Sequence, residues 1–179
     1  INYGYFGKQL SKEYDLLIHL DADCIVCSSL DEMLQSKVQI EGSLNFGSEF
    51  MKENNIENKT FLLTILYEDY VTAGVFSVRG EEFWDHWVNL IKHARQLNQV
   101  ENDTFNLIFH YGNYSTHILD KENVFYGTQS IYKWKRFYLD GERIMCDGRQ
   151  VRVIHWAGGG KMKKLNYREV GIPEKVCER

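Results

Sequence analysis

Asp21 and Asp23 flank Ala22 directly after the apolar run Leu16, Leu17, Ile18. Side chains two apart at the end of a strand point the same way, so both carboxylates can address one hard cation at a sheet edge. Such a pair suits a metal-bound phosphate. It equally suits a turn that merely ends a strand, and other residues must decide between the two.

The composition narrows the field. A chain of 179 residues, 44% hydrophobic and 26% charged, has the make-up of one globular domain with its own core. A net charge of −4 with no basic stripe argues against a nucleic-acid partner. Lys161, Lys163 and Lys164 form the only tight basic cluster and read as a solvated face. No apolar stretch reaches the roughly 20 residues that span a bilayer, and no signal peptide is visible. The four cysteines do not form a disulfide framework. Cys24 and Cys27 are spaced C-x-x-C but follow a strand instead of opening a helix, so reduced, partly buried thiols are expected in preference to a four-thiolate zinc site with Cys146 and Cys177. The sequons at Asn58, Asn102 and Asn113 matter only in a secretory compartment. A cytoplasmic location is the expectation, or a secretory-pathway lumen if an N-terminal anchor lies outside this sequence. Nothing in the sequence sets the oligomeric state.

The elements that must position the aspartates read as follows. A helix over 5–13 leads into a strand at 15–20. Ser29-Leu-Asp-Glu32 fits a capping box opening a short helix. The Asn-rich stretch 45–60 is expected as a loop, and a strand over 70–78 is broken by Gly80. Phe83, Trp84, Trp87, Leu90, Ile91 and Ala94 recur at helical spacing, with both tryptophans expected in the core. A further helix is expected near 102–110. Asp140-Gly141 and Asp147-Gly148 then punctuate short antiparallel strands, and the last strand runs from Val151 to Trp156. The pattern predicts an α/β domain with a mixed sheet flanked by helices.

Four segments in order resemble the GT-A fold glycosyltransferases, most closely glycosyltransferase family 8 and its glycogenin-like relatives. They are Leu20-Asp-Ala-Asp23, Thr72-Ala-Gly-Val75, Glu101-Asn-Asp-Thr-Phe-Asn106 and His155-Trp-Ala-Gly-Gly-Gly-Lys161. The corresponding family segments are D-x-D, N-x-G, D-Q-D-x-x-N and H-x-x-G-x-x-K, and the resemblance covers roughly residues 1–165. It implies a metal-dependent transferase, retaining in stereochemistry, that moves a sugar from a nucleotide-diphosphate donor, a UDP-sugar, to a carbohydrate or glycoconjugate acceptor. Asp21, Asp23 and His155 would hold Mn²⁺ or Mg²⁺, the imidazole nitrogen favouring Mn²⁺. The backbone at Ala22 and Gly158 and the ammonium of Lys161 would meet the donor diphosphate. Thr72, Ala73 and Gly74 would lie beside the donor sugar, and Glu101, Asn102 and Asp103 would face its anomeric centre.

Five positions in three segments depart from the family pattern: Thr72 replaces Asn, Glu101-Asn102 replaces Asp-Gln, and Met162-Lys163 replaces Pro-Trp. In the family a βαβ portion ahead of the D-x-D strand holds the base and ribose, whereas here only about 20 residues precede Asp21. The resemblance therefore implies a single partial GT-A domain over 1–179, cut short at its N-terminus, with 162–179 as a C-terminal extension. Acceptor recognition would fall to 45–60, 111–135 and 162–179, and Tyr126, Tyr132 and Trp134 are expected as core aromatics. The competing enzyme class is a haloacid dehalogenase-like phosphatase, with Asp21 as nucleophile and Asp23 as general acid/base. That chemistry gives the glycine-rich segment after His155 no role. A third possibility is a non-catalytic remnant of a transferase domain.

Overall fold

The computed structural model describes residues 2–44, 69–94, 100–119, 124–126, 137–146 and 148–155. The expected loop at 45–60, the glycine run with Gly158 and Lys161, Tyr132, Trp134 and the extension 162–179 lie outside them. Helix α1 (Asn2–Leu10) leads into β1 (Leu16–Leu20), β2 (Cys24–Val26), α2 (Asp31–Gln35) and β3 (Ile40–Leu44). Then come β4 (Val71–Arg79), α3 (Glu82–His93), α4 (Val100–Tyr111) and β5 (Thr116–Ile118). Five short strands follow: β6 (Val124–Phe125), β7 (Phe137–Asp140), β8 (Arg143–Cys146), β9 (Arg149–Val151) and β10 (Val153–His155).

The main sheet has the order β1-β4-β3-β5. Its first two ladders are antiparallel and the β3–β5 ladder is parallel, so it is mixed, as expected. A second mixed sheet has the order β6-β9-β8-β7, and β2 pairs antiparallel with β10 in a separate two-stranded ladder. Helices α3 and α4 pack on one face of β4. Phe76, Phe83, Trp84, Trp87, Phe105, Ile108 and Phe109 are buried there together. Phe76 meets Phe105 at a tilt, ring centroids 4.7 Å apart, and Trp87 edge-on at 5.5 Å. Each such ring pair adds about 0.5–1.5 kcal/mol beyond area burial. Trp87 also donates its indole N–H to Thr104. The two tryptophans are core, as their spacing predicts. Tyr126 is fully buried with Met33, Val75 and Val153 on the other face.

Several boundaries shift for physical reasons. Helix α1 runs earlier than 5–13 and unwinds through a turn in which the N–H groups of Glu13 and Tyr14 both reach Leu10. The capping box does not form. Leu30 is the N-cap of α2, and the Glu32 carboxylate is drawn instead to Arg152 and Tyr126. The last strand is two: Arg152 interrupts it, anchored by Glu32 and Ser28. The hairpin of β7 and β8 turns through Asp140 and Gly141, and Gly141 at φ 61° and Gly148 at φ 78° supply the left-handed backbone that hairpins need; Asp147 lies outside the described residues.

Strand β4 carries the irregularity that matters most. Opposite β3 its register jumps between Gly42, paired with Phe76, and Ser43, paired with Thr72. A bulge reverses which side of a strand each parity faces. Accordingly Val71 and Ala73 enter the aromatic core ahead of it, and Phe76 and Val78 enter it beyond. Thr72 and Gly74 are left on the opposite side, towards the end of β1.

Candidate functional site

The site is built where three chain segments meet at the C-terminal end of β1. The ladder between β1 and β4 continues one step past Leu20, the Asp21 N–H donating to the Gly74 carbonyl at 2.9 Å. The chain then reverses, and the Cys24 N–H closes a turn on the Asp21 carbonyl at 3.0 Å. This corrects the expected geometry. Asp21 and Asp23 share a site because a turn folds the second back towards the first, not because a strand carries both on one face. After the turn, β2 pairs with β10 and puts Cys24 directly opposite His155.

His155 is the hub. Its Nε2 lies 3.3 Å from Asp21 Oδ2 and 3.3 Å from Asp23 Oδ1. The ring is buried and packs against Gly74. A Cβ at that glycine would come 2.1 Å from His155 Cε1 and 2.8 Å from Asp21 Oδ2. Gly74 is therefore required by the space the imidazole occupies.

The residues fit a divalent cation. Cis donors around an ion with bonds near 2.1 Å stand about 3 Å apart, close to the separations between Nε2 and the two carboxylate oxygens. Among the described residues, the group whose donor atoms all lie within 4.8 Å of one another is Asp23, Cys24 and His155; Asp21 reaches His155 but falls outside that group.

Electrostatics favour the charged carboxylate. Burial opposes ionisation of Asp21. Hydrogen bonds from His155 and His19, and the positive charge those rings carry when protonated, win and hold the carboxyl well below the ordinary value of 3.8. Because the folded value is depressed, the stability this contributes is complete above 3.8 and drains away as pH falls below it. Replacing Asp21 with Asn should therefore flatten the loss of stability in acid. Denaturant titrations on either side of that pH check the prediction; an unchanged acid slope would refute it. For Cys24, burial and then the neighbouring Asp21 charge push the thiol up to about 12, so without a metal it is a thiol and no nucleophile.

The remaining candidates divide. Thr72 is buried and its hydroxyl oxygen accepts from the Gly74 N–H at 3.1 Å. Asn102 Oδ1 accepts the Ala73 N–H at 2.8 Å. Asn106 takes both the N–H and the carbonyl of Val71 and also donates to the Asn102 carbonyl. Asp103 is fully buried, accepts the Tyr70 hydroxyl at 2.7 Å, and keeps Oδ2 without a partner among the described residues. Burial raises its carboxyl, against the Tyr70 hydrogen bond. Glu101 is exposed at the start of α4. Gly158 and Lys161 fall outside the described residues, so the structure assigns them no place.

Three contributors were not singled out from sequence. His19 reaches Asp21 Oδ1 at 3.1 Å while stacked on Phe76. Strand periodicity held that signal, since His19 and Asp21 are two apart. Asn106 holds the Val71 backbone just ahead of the bulge, as Asn102 holds the Ala73 N–H within it. The C-x-x-C spacing marks Cys24 only as a thiol, and its place opposite His155 comes from pairing with a distant strand.

No family model matches the sequence, and no curated protein matches it. Solved structures do. The galactosyltransferase LgtC in complex with donor and acceptor sugar analogs superposes with a TM-score of 0.54 at 16% identity, over 86% of this chain and 58% of that one. An active-site glutamine-to-glutamate mutant of LgtC superposes with a TM-score of 0.56 at 14% identity, again over 86% and 58%. The chain thus spans little more than half the length of these structures. At such identities the likeness speaks for architecture alone: the mixed sheet with its flanking helices is the GT-A fold, shared with the galactosyltransferase LgtC.

Proposed function

We propose that the protein is a metal-dependent glycosyltransferase that moves a sugar from a nucleotide-diphosphate donor, a UDP-sugar, to a carbohydrate or glycoconjugate acceptor with retention at the anomeric carbon. The observation that carries this reading is the meeting of Asp21, Asp23 and His155 at one nitrogen atom. Two oxygen donors and one nitrogen donor suit Mn²⁺, and Mg²⁺ less well. Bound there, the cation would neutralise charge developing on the departing diphosphate.

The chain's own groups do the rest. Asp21, held ionised by its two histidines, and Asp23 offer fixed negative charge. His155 is oriented by Gly74 beneath it and offers Nε2 when that atom carries no proton. The backbone at Ala22, Gly158 and the Lys161 ammonium are the groups proposed for the diphosphate oxygens. Thr72 and Gly74 line the side of the bulge proposed for the donor sugar, whereas the Ala73 side chain turns into the aromatic core and leaves that residue only its backbone to offer. Glu101, Asn102 and Asp103, at the start of α4, are proposed for its anomeric side. Within that trio, Asn102 and Asp103 already hold Ala73 and Tyr70, so their part is to fix the wall, and Glu101 is the exposed carboxylate. The GT-A fold and the contacts of His155 favour this reading over the phosphatase. The proposed compartment is cytoplasmic.

Incubating the protein with UDP-sugars and Mn²⁺ tests the proposal. Release of UDP that requires Mn²⁺ is the expected result. Hydrolysis of a phosphomonoester instead would make the protein a phosphatase. Metal-dependent nucleotide binding with no turnover would make it a remnant.

A further inference from the structure

Cys24 has no part in the proposed transfer, yet it sits against the same two ligands. It begins β2 directly opposite His155, and Asp23 precedes it on the turn. Donor atoms of the three side chains lie within 4.8 Å of one another. The thiol's contact with the Gly74 carbonyl, at 3.7 Å, is weak. One oxygen, one nitrogen and one sulfur donor form a mixed set, and sulfur changes which ions it suits. Manganese and magnesium prefer oxygen, whereas thiolate selects zinc-class cations, which also stand higher in the affinity order for such donors.

We propose that Asp23, Cys24 and His155 bind a thiophilic divalent cation of the zinc class, which competes with the hard cation of the proposed reaction because both need Asp23 and His155. This inference rests on the metal site of the preceding section and adds a regulatory ion to it. A tetrahedral zinc ion, with bonds near 2.0 Å to nitrogen and oxygen and 2.3 Å to sulfur, needs donors about 3.3–3.6 Å apart. The pair His155 Nε2 and Asp23 Oδ1 already stands at 3.3 Å. Bringing the sulfur in takes a shift of less than about 1.5 Å from the present limit of separation. On binding, the sulfur exchanges its proton for the metal, the proton passes to solvent, and the hydrogen bond to Gly74 is given up. Thiol-sparing ions leave Cys24 protonated.

The test uses the full chain, with Co²⁺ as a spectroscopic probe and Zn²⁺ as competitor. Co²⁺ should produce a thiolate charge-transfer absorption that survives Cys27→Ser and vanishes in Cys24→Ser. Zn²⁺ should displace bound Mn²⁺, read from the electron paramagnetic resonance of the freed ion. Cys24→Ser should weaken Zn²⁺ by about tenfold or more while changing Mn²⁺ affinity less than about threefold. Retained Mn²⁺ binding also reports that the variant is folded, and Cys24→Ala provides a second variant. Co²⁺ bound without the thiolate band, or Zn²⁺ bound equally well by Cys24→Ser, overturns the inference. Zn²⁺ held through Cys24 with no Mn²⁺ bound refutes the transferase metal and leaves the thiol site standing. Neither ion binding refutes both.

Discussion

Asp23→Ala is expected to abolish Mn²⁺-dependent release of UDP from a UDP-sugar while leaving the fold intact. The asymmetry follows from what the side chain does. Asp23 is partly buried at a turn and belongs to neither hydrophobic cluster, so its loss removes a charge and no packing. Stability should move by about 1 kcal/mol or less. Losing one of three donors should lower turnover by at least about a hundredfold, because the charge on the leaving diphosphate loses its counter-ion. Steady-state UDP release and a thermal melt on the same sample separate the two effects. Turnover at the parent rate would show that the cation is held elsewhere.

Gly74→Ala should act almost as strongly without touching a ligand. Its new methyl would overlap the His155 ring at 2.1 Å from Cε1 and crowd Asp21 Oδ2 at 2.8 Å. The backbone there has little freedom to retreat, since the Gly74 carbonyl takes the Asp21 N–H and its own N–H goes to Thr72. The ring must therefore swing away, carrying Nε2 from both carboxylates. We expect Mn²⁺ affinity to fall about 10- to 100-fold, as when a supporting group around a metal is lost. Stability should drop by about 1–3 kcal/mol from overpacking. Calorimetric titration with Mn²⁺ reads the first effect. An unchanged affinity would mean that His155 is not a ligand.

The sequence disclosed some parts of this arrangement and concealed others. Phe83, Trp84, Trp87 and Ile91 announce α3 because one helix face is wholly apolar and repeats at the helical period. The Asp-Gly pairs announce their hairpins because only certain residues accept a left-handed backbone. By contrast, β3 carries Glu41, Gly42 and Ser43 in its middle and has no strand-like alternation to read. Glu41 is buried all the same, satisfied by the Ser77 hydroxyl and His117, partners that exist only once the sheet has formed. The bulge in β4 was hidden for a related reason. It shows as a change in which parity is buried, from Val71 and Ala73 to Phe76 and Val78, and every residue from 71 to 78 is apolar or small enough to fit either side. Asn102 and Asn106 gave no warning that they would complete the backbone bonding of another element. In the site, motif order pointed to Asp21, Asp23 and His155, yet the turn that gathers the two carboxylates differs from the strand face that spacing suggested.

The pairing of β2 with β10 has a consequence for how this protein is held together. The contact between Ser28 and Arg152, at the foot of that ladder, closes a loop of 124 residues. Closing so long a loop opposes folding through chain entropy, and in the unfolded chain the His155 imidazole is far from the acidic couplet. A divalent ion held at the proposed site would reward only the closed form. By linkage, the melting temperature would then climb with free ion concentration, the ion acting as a clasp between β2 and β10.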